Sequence, residues 1–294
     1  MRRLHADLAL LAAAAIWGTA FLLQKSAMSH VEPLTFVASR CTVAALALAP
    51  FAVLEARGSR GPIGWDFLAT AALAGLAFFL AAWPQQAGIR TATVTNAGFL
   101  TALYVVITPF LAWGWTGKRP AQMIWPAAAC SALGTWLLGG GTLSALSTGD
   151  RLIALSAVLW AAQVVITGRA SAFRRPIGFT AVQLAVVAAL AAAGAAALEA
   201  PTRDGLAGAA FEIAYVGLLS SALTFALLTI ALQYMPPAEA AVIISLDTVF
   251  AALAGYLFLG ERLGAPGLAG AGLILLGVLC IQLGPPLAAR QGRG

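Results

Sequence analysis

Apolar residues run along this chain in ten stretches, near 7–28, 33–54, 66–88, 93–115, 121–139, 150–170, 177–198, 210–234, 238–259 and 265–284, each bounded by charged residues or by Pro and Gly. A helix rising 1.5 Å per residue needs about 20 apolar residues to cross a hydrocarbon core of about 30 Å. The pattern therefore predicts an all-α polytopic membrane protein with ten transmembrane helices, whose loops are too short to hold a soluble domain. Arg2 and Arg3 followed by an apolar run resemble a secretion signal. The run carries Trp17 and Gln24, lacks an obvious cleavage pattern and leads straight into further spans, so it is read as a retained first helix.

Composition agrees with the pattern and narrows the classes. Of 294 residues, 61% are hydrophobic and 10% charged, against roughly 45–50% and about 25% in soluble domains. So few charges cannot cover a water-facing surface, which excludes a soluble enzyme, a disordered regulator and a nucleic-acid binder. The net charge of +6 reads as an orientation signal. Eleven Lys and Arg residues (Arg2, Arg3, Arg57, Arg60, Lys118, Arg119, Arg169, Arg174, Arg175, Arg290, Arg293) fall in one set of alternate loops and five (Lys25, Arg90, Arg151, Arg203, Arg262) in the other. The excess predicts cytoplasmic N- and C-termini in a bacterial inner (plasma) membrane. Cys41, Cys130 and Cys280 lie in apolar stretches without a CxxC pair and read as packing residues.

Slid against itself, the chain matches at one constant register. Asp7 falls on Asp150, Trp17 on Trp160, Pro33 on Pro176, Phe36 on Phe179, Gly134 on Gly277, and Gly117-Lys118-Arg119 on Gly260-Glu261-Arg262. Two repeats follow, 7–139 and 150–284, with five spans each. An odd number of spans makes the second repeat enter from the opposite side, giving inverted halves related by an axis in the membrane plane, an arrangement typical of secondary carriers with a binding site near the midplane.

The stretch SLDTVFAALAGYLFLGERL, residues 245–263, resembles the signature of EamA-type members of the drug/metabolite transporter superfamily. TNAGFLTALYVVITPFLAWGWTGKRP, residues 95–120, looks like its first-half counterpart, and Trp17-Gly18-Thr19 and Arg40 are also similar to that family's pattern. The resemblance spans essentially the whole chain. It implies a ten-helix carrier that exports small organic solutes such as amino acids, while relatives in organelles exchange nucleotide sugars or sugar phosphates. Lys118 stands where the first half often has Glu, and Thr248 where the second often has Pro.

Trp17 and Trp160 both lie about ten residues into their spans, roughly 15 Å deep from opposite faces, and are read as flanking a shared cavity rather than as belt tryptophans such as Trp65, Trp113, Trp115 and Trp125. Helical spacing extends one face from Trp17 through Phe21 to Gln24, and another from Trp160 through Gln163 to Thr167. Phe79, Trp83 and Gln86 in the third span, Asn96 and Tyr104 in the fourth, Ser220 and Thr224 in the eighth and Ser245 in the ninth complete the candidate substrate-binding set. The alternative for a single Ser or Thr is interhelical bonding.

Charge within a span costs at least about 2.5–3.5 kcal/mol, so Arg40 and Asp247 stand out. Arg40 either holds a substrate carboxylate or snorkels and staples helices; Asp247 is a proton-coupling site, a partner for a substrate amine, or a structural charge. Glu239 and Glu261 sit near span ends, where they face water or cap helices. Pro84 and Pro109 are candidate hinges, because each interrupts backbone bonding inside a span. Gly264, Gly267, Gly270, Gly272 and Gly277 permit close helix contact, either within the fold or in a weak homodimer.

The leading expectation is a secondary-active or facilitative carrier working by alternating access, with Trp17, Phe79, Trp83, Tyr104 and Trp160 walling a cavity for a hydrophobic or aromatic amino acid. A nucleotide-sugar or sugar-phosphate exchanger is the near alternative; a channel or lipid translocator is another. No phosphate loop marks an ATPase, and His5 and His30, both at span ends, offer no catalytic or metal spacing, so no enzyme, cofactor, metal or ATPase subunit is expected. The expected partners are the solute and the bilayer.

Overall fold

A computed structural model describes residues 3–58, 63–138, 147–260 and 264–291. Of the sequence-predicted features, Arg2, Arg60, Glu261, Arg262 and Arg293 lie outside the described residues. The described residues form helices joined by short turns, and all but one short helix fall into the ten predicted spans. The first three are single helices: α1 (Arg3–Ala27), α2 (Pro33–Gly58) and α3 (Trp65–Ile89). The fourth is α4 (Val94–Thr101) followed by α5 (Tyr104–Thr116), and the fifth is α6 (Ile124–Leu138). In the second half come α7 (Thr148–Gly168), α8 (Pro176–Leu198), a short α9 (Arg203–Gly208), and then α10 (Ala210–Tyr215), a π-helix over Val216–Leu223 and α11 (Thr224–Ala231) making one span. The ninth span is α12 (Pro237–Ile244) with α13 (Asp247–Leu259), and the tenth is α14 (Ala265–Gln291). Among the described residues eight of these segments are long and apolar enough to cross a membrane, and the Ala265–Gly277 part of α14 is a shorter apolar helix.

The internal repeat is visible in the backbone. Gly117 and Gly260, which correspond in the two repeats, end α5 and α13 with φ of 68° and 67°, a left-handed geometry that glycine adopts without a Cβ clash. The fourth and ninth spans are not continuous, as the hydropathy pattern suggests, but broken at matching places. The N–H groups of Leu103 and Val105 bond back three positions, to Leu100 and Ala102, and those of Leu246 and Thr248 repeat this with Ile243 and Ser245. Proline is not the cause. Helices run on through Pro84 and Pro109, and the ninth-span break contains no proline.

Packing between the halves obeys the same symmetry. α2 packs on α8, α6 on α14, and the fourth span on the ninth, each span meeting its own counterpart. The contact of α3 with α7 has its mate in that of α1 with the eighth span. At the α6–α14 crossing a Cβ on Gly134 would sit 2.5 Å from the Gly270 carbonyl, and one on Gly277 would sit 2.8 Å from the Ala127 carbonyl. The earlier residue of each helix meets the later residue of the other, so this pair is antiparallel and the halves are inverted. Gly134 and Gly277 thus use their small size inside the fold.

Candidate functional site

The tryptophan pair, the two broken spans and the π-helix converge on one central cavity whose space, open solvent included, is about 590 Å³. Five pairs of wall residues correspond in the repeat register: Trp17 and Trp160, Phe21 and Val164, Gln85 and Leu228, Thr101 and Ile244, Tyr104 and Asp247. The cavity therefore straddles the pseudo-two-fold axis. Gln24, Arg40, Gln163, Ser220 and Phe225 complete the wall without their counterparts.

Its aromatic side is fixed by ring contacts. Trp17 meets Phe225 edge-on at 5.0 Å, Trp160 stacks on Phe225 at 6.0 Å and tilts against Phe78 at 4.9 Å. The polar side is held from opposite ends. Gln85 Nε2 donates to Thr101 Oγ1 at 2.9 Å, and Gln163 Nε2 donates to Thr167 Oγ1 at 3.0 Å.

Arg40 is 3% exposed, makes one long hydrogen bond from Nη1 to Ser221 Oγ at 3.4 Å, and lies over the Phe36 ring at 5.8 Å. Asp247 is 5% exposed and opens α13 at the break of the ninth span. Among the described residues neither is in an ion pair; an ion pair does form near the span ends, between Arg3 and Glu239 at 2.6 Å. Five wall residues carry a buried polar atom without a hydrogen-bond partner: Gln24 Oε1, Arg40 Nε, Trp160 Nε1, Gln163 Oε1 and Asp247 Oδ1. Orphaned groups of this kind are rare in folded proteins and ask for an occupant, since each costs about 1–3 kcal/mol or more when unmet.

The structure brings Trp17, Phe21, Gln24, Arg40, Tyr104, Trp160, Gln163, Ser220 and Asp247 to this wall and leaves seven predicted residues off it, among them Thr167, which accepts from Gln163 behind the wall. Phe79 and Trp83 stack on each other at 6.1 Å, with Trp83 39% exposed on the outside of the bundle. Gln86 turns instead to the Gln24 carbonyl, at 3.2 Å. The third-span phase is shifted by one residue, about 100° of helix, so Gln85 faces the cavity in place of Gln86. Asn96 sits in the first turn of α4, where its N–H bonds the Thr93 cap. Thr224 Oγ1 donates to the Ser220 carbonyl and Ser245 Oγ to the Val242 carbonyl, both local bonds of buried hydroxyls. Glu239 pairs with Arg3, and Lys25 binds the carbonyls of Ile89 and Ala92 at the α3–α4 turn, so both serve span ends. Sequence reasoning misses Gln85, Thr101, Val164, Phe225, Leu228 and Ile244. The repeat carries a signal for Val164, the counterpart of the predicted Phe21, whereas Gln85 pairs with Leu228 and Thr101 with Ile244, so that neither member of these pairs points to the other.

Comparison with known proteins gives the same architecture. A protein of known crystal structure shares the fold with a TM-score of 0.77 at 18% identity, covering 95% of this chain and 98% of that one. An uncharacterized transporter of Archaeoglobus fulgidus is 30% identical over 96% of this chain and 87% of its own length. The uncharacterized transporter YwfM of Bacillus subtilis is 29% identical over 95% and 94%. Residues 4–140 and 147–283 each match the EamA-like transporter family. Repeated sequence, mirrored packing and a family match in each half lead to one assignment: this chain belongs to the EamA-like transporter family and is an integral membrane transporter.

Proposed function

We propose that the chain is a carrier for small zwitterionic solutes, hydrophobic or aromatic amino acids first among them, which it exports from the cytoplasm by alternating access. The observation that carries this reading is the presence of one buried basic side chain, Arg40, and one buried acidic side chain, Asp247, on a single cavity wall with no ion pair to either among the described residues. Two isolated charges of opposite sign are costly to hold in a bilayer. A solute bearing both a carboxylate and an ammonium group offsets both costs, the carboxylate at Arg40 and the ammonium at Asp247. The rings of Trp17, Trp160 and Phe225 supply an apolar, stacking surface for its side chain. Arg40 as the one cation among these wall residues favours a carboxylate over a nucleotide diphosphate, which calls for several cations. Cytoplasmic termini, from the loop charges, complete the reading.

Counterflow in proteoliposomes of purified protein tests it. Uptake of labelled phenylalanine should be accelerated by unlabelled phenylalanine inside. Acceleration only by sugar nucleotides, or uptake indifferent to internal solute, as a channel gives, overturns the proposal.

A further inference from the structure

The two halves are not perfect copies, and the defect lies in the cavity wall. A Cβ on Gly75 of α3 would meet the Gln183 carbonyl and Val186; one on Gly217 would meet the Arg40 carbonyl and Val43. Gln183 and Val186 are the repeat counterparts of Arg40 and Val43, so the two contacts are equivalent, yet the register pairs Gly75 with Leu218 and not with Gly217. Gly217 stands one position early. Further along, the register is restored. The N–H groups of Thr91 and Ala92 bond the Gly88 carbonyl at the end of α3, and those of their exact counterparts Tyr234 and Met235 bond the carbonyl of Ala231, the counterpart of Gly88. Between these points the second half holds one residue more than the first, and the π-helix of Val216–Leu223 is where it is accommodated. A π-turn bonds five residues back rather than four, so it absorbs an added residue; such turns are frequent at functional sites.

The insertion makes the tryptophans unequal. Trp17 Nε1 donates to the carbonyl of Ser220, inside the π-helix, at 2.8 Å. The corresponding stretch of α3 is plain α-helix and sets the Phe78 ring, not a backbone carbonyl, against Trp160. Trp160 Nε1 is accordingly buried without a partner, while its ring packs against both Phe78 and Phe225, which also touch each other at 4.5 Å.

We infer that the π-helix divides the roles of the pair: Trp17 is the anchor that ties α1 to the eighth span, and Trp160 is the specificity residue, whose indole N–H donates to an oxygen acceptor of the transported solute. The inference rests on the solute reading of the cavity given above and adds to it that the acceptor, a carboxylate oxygen for an amino acid, is recognised by Trp160 as well as by Arg40. Selectivity for acids over the corresponding amines then depends on Trp160 and not on Trp17.

Phe retains an aromatic ring and removes the N–H, so W160F and W17F in the full-length protein separate the roles. Binding of phenylalanine and of phenethylamine, which lacks the carboxylate, is measured by calorimetry in detergent, and melting temperature is measured without solute. W160F should weaken phenylalanine on the order of tenfold, as for a lost bond to a charged group, and leave phenethylamine unchanged. W17F should keep the wild-type ratio of the two affinities but melt lower than W160F. Equal weakening of both probes by W160F, or none of either, overturns the specificity role, since ring contact alone would explain it. Equal melting of the two variants overturns the anchor role. Binding of neither probe by the wild-type protein overturns the solute reading itself, and the specificity role with it; the melting comparison still judges the anchor.

Discussion

Glu55 and Glu199 cap each other's helices. Glu199, which closes α8, accepts from the Leu34 and Thr35 N–H groups at 2.8 and 2.7 Å and from Thr35 Oγ1 at 2.7 Å, at the start of α2. Glu55, near the end of α2, accepts from Ile177 N–H at 3.2 Å and Gly178 N–H at 2.7 Å, at the start of α8. Each carboxylate meets the free donors and positive dipole end of an antiparallel neighbour, so the α2–α8 pair is fastened at both ends.

Glu199→Ala and Glu55→Ala should each destabilise the protein by about 1–2 kcal/mol, the usual cost of a lost cap strengthened by charge. The sites lie at opposite ends of a 26-residue helix, so the double variant should show additive loss. Thermal or denaturant unfolding in detergent measures this; strong non-additivity would mean that the two caps belong to one cooperative unit.

Close helix approach makes a second set. Gly134→Ala and Gly277→Ala place a methyl group 2.5 and 2.8 Å from a facing backbone carbonyl, and overpacking of this kind costs about 1–3 kcal/mol. Gly272, also in α14 but with nothing within 4 Å of its Cβ position, should accept Ala with no loss. Melting temperatures of the three variants decide it, and a tolerant Gly134 would show that α6 and α14 lie farther apart.

Charge selectivity should divide between two residues. Arg40→Gln should weaken phenylalanine more than about tenfold while sparing phenethylamine, and Asp247→Asn should weaken both while sparing phenylpropionate, as losses of bonds to buried charges. Affinities for the three compounds, which share a ring and differ in charge, form the readout. A uniform loss across all three would assign both residues to packing.

Thr167 and Gln183 are the repeat counterparts of Gln24 and Arg40, but they are fully buried and bonded to each other at 3.4 Å instead of lining the cavity. If the halves exchange conformations, these two should become the wall of the opposite-facing state. In a background with Cys41, Cys130 and Cys280 replaced, cysteine at 167 or 183 should react with maleimide only when cysteine at 24 or 40 is protected, with solute shifting the balance. Simultaneous labelling of both sets would indicate a continuous pore.

Much of the cavity was legible from spacing alone. Trp17, Phe21 and Gln24 follow one helix face, and the repeat transfers that face to Trp160. The third span failed because it is apolar nearly all round, leaving no amphipathic phase to choose between Gln85 and its neighbour Gln86. Phe225 was hidden for another reason: it is one apolar residue among many in its span, and its position against both tryptophans depends on the π-helix.

The amino-acid sequence by itself determined the membrane class, the number of spans and the inverted repeat, because bilayer thickness sets a length for every apolar stretch and duplication leaves a constant register. Tertiary structure alone decided where the spans break, which side of each helix meets the cavity, and how one inserted residue makes two like tryptophans different. These depend on backbone hydrogen bonding and on contacts between residues far apart in the chain, neither of which hydropathy records.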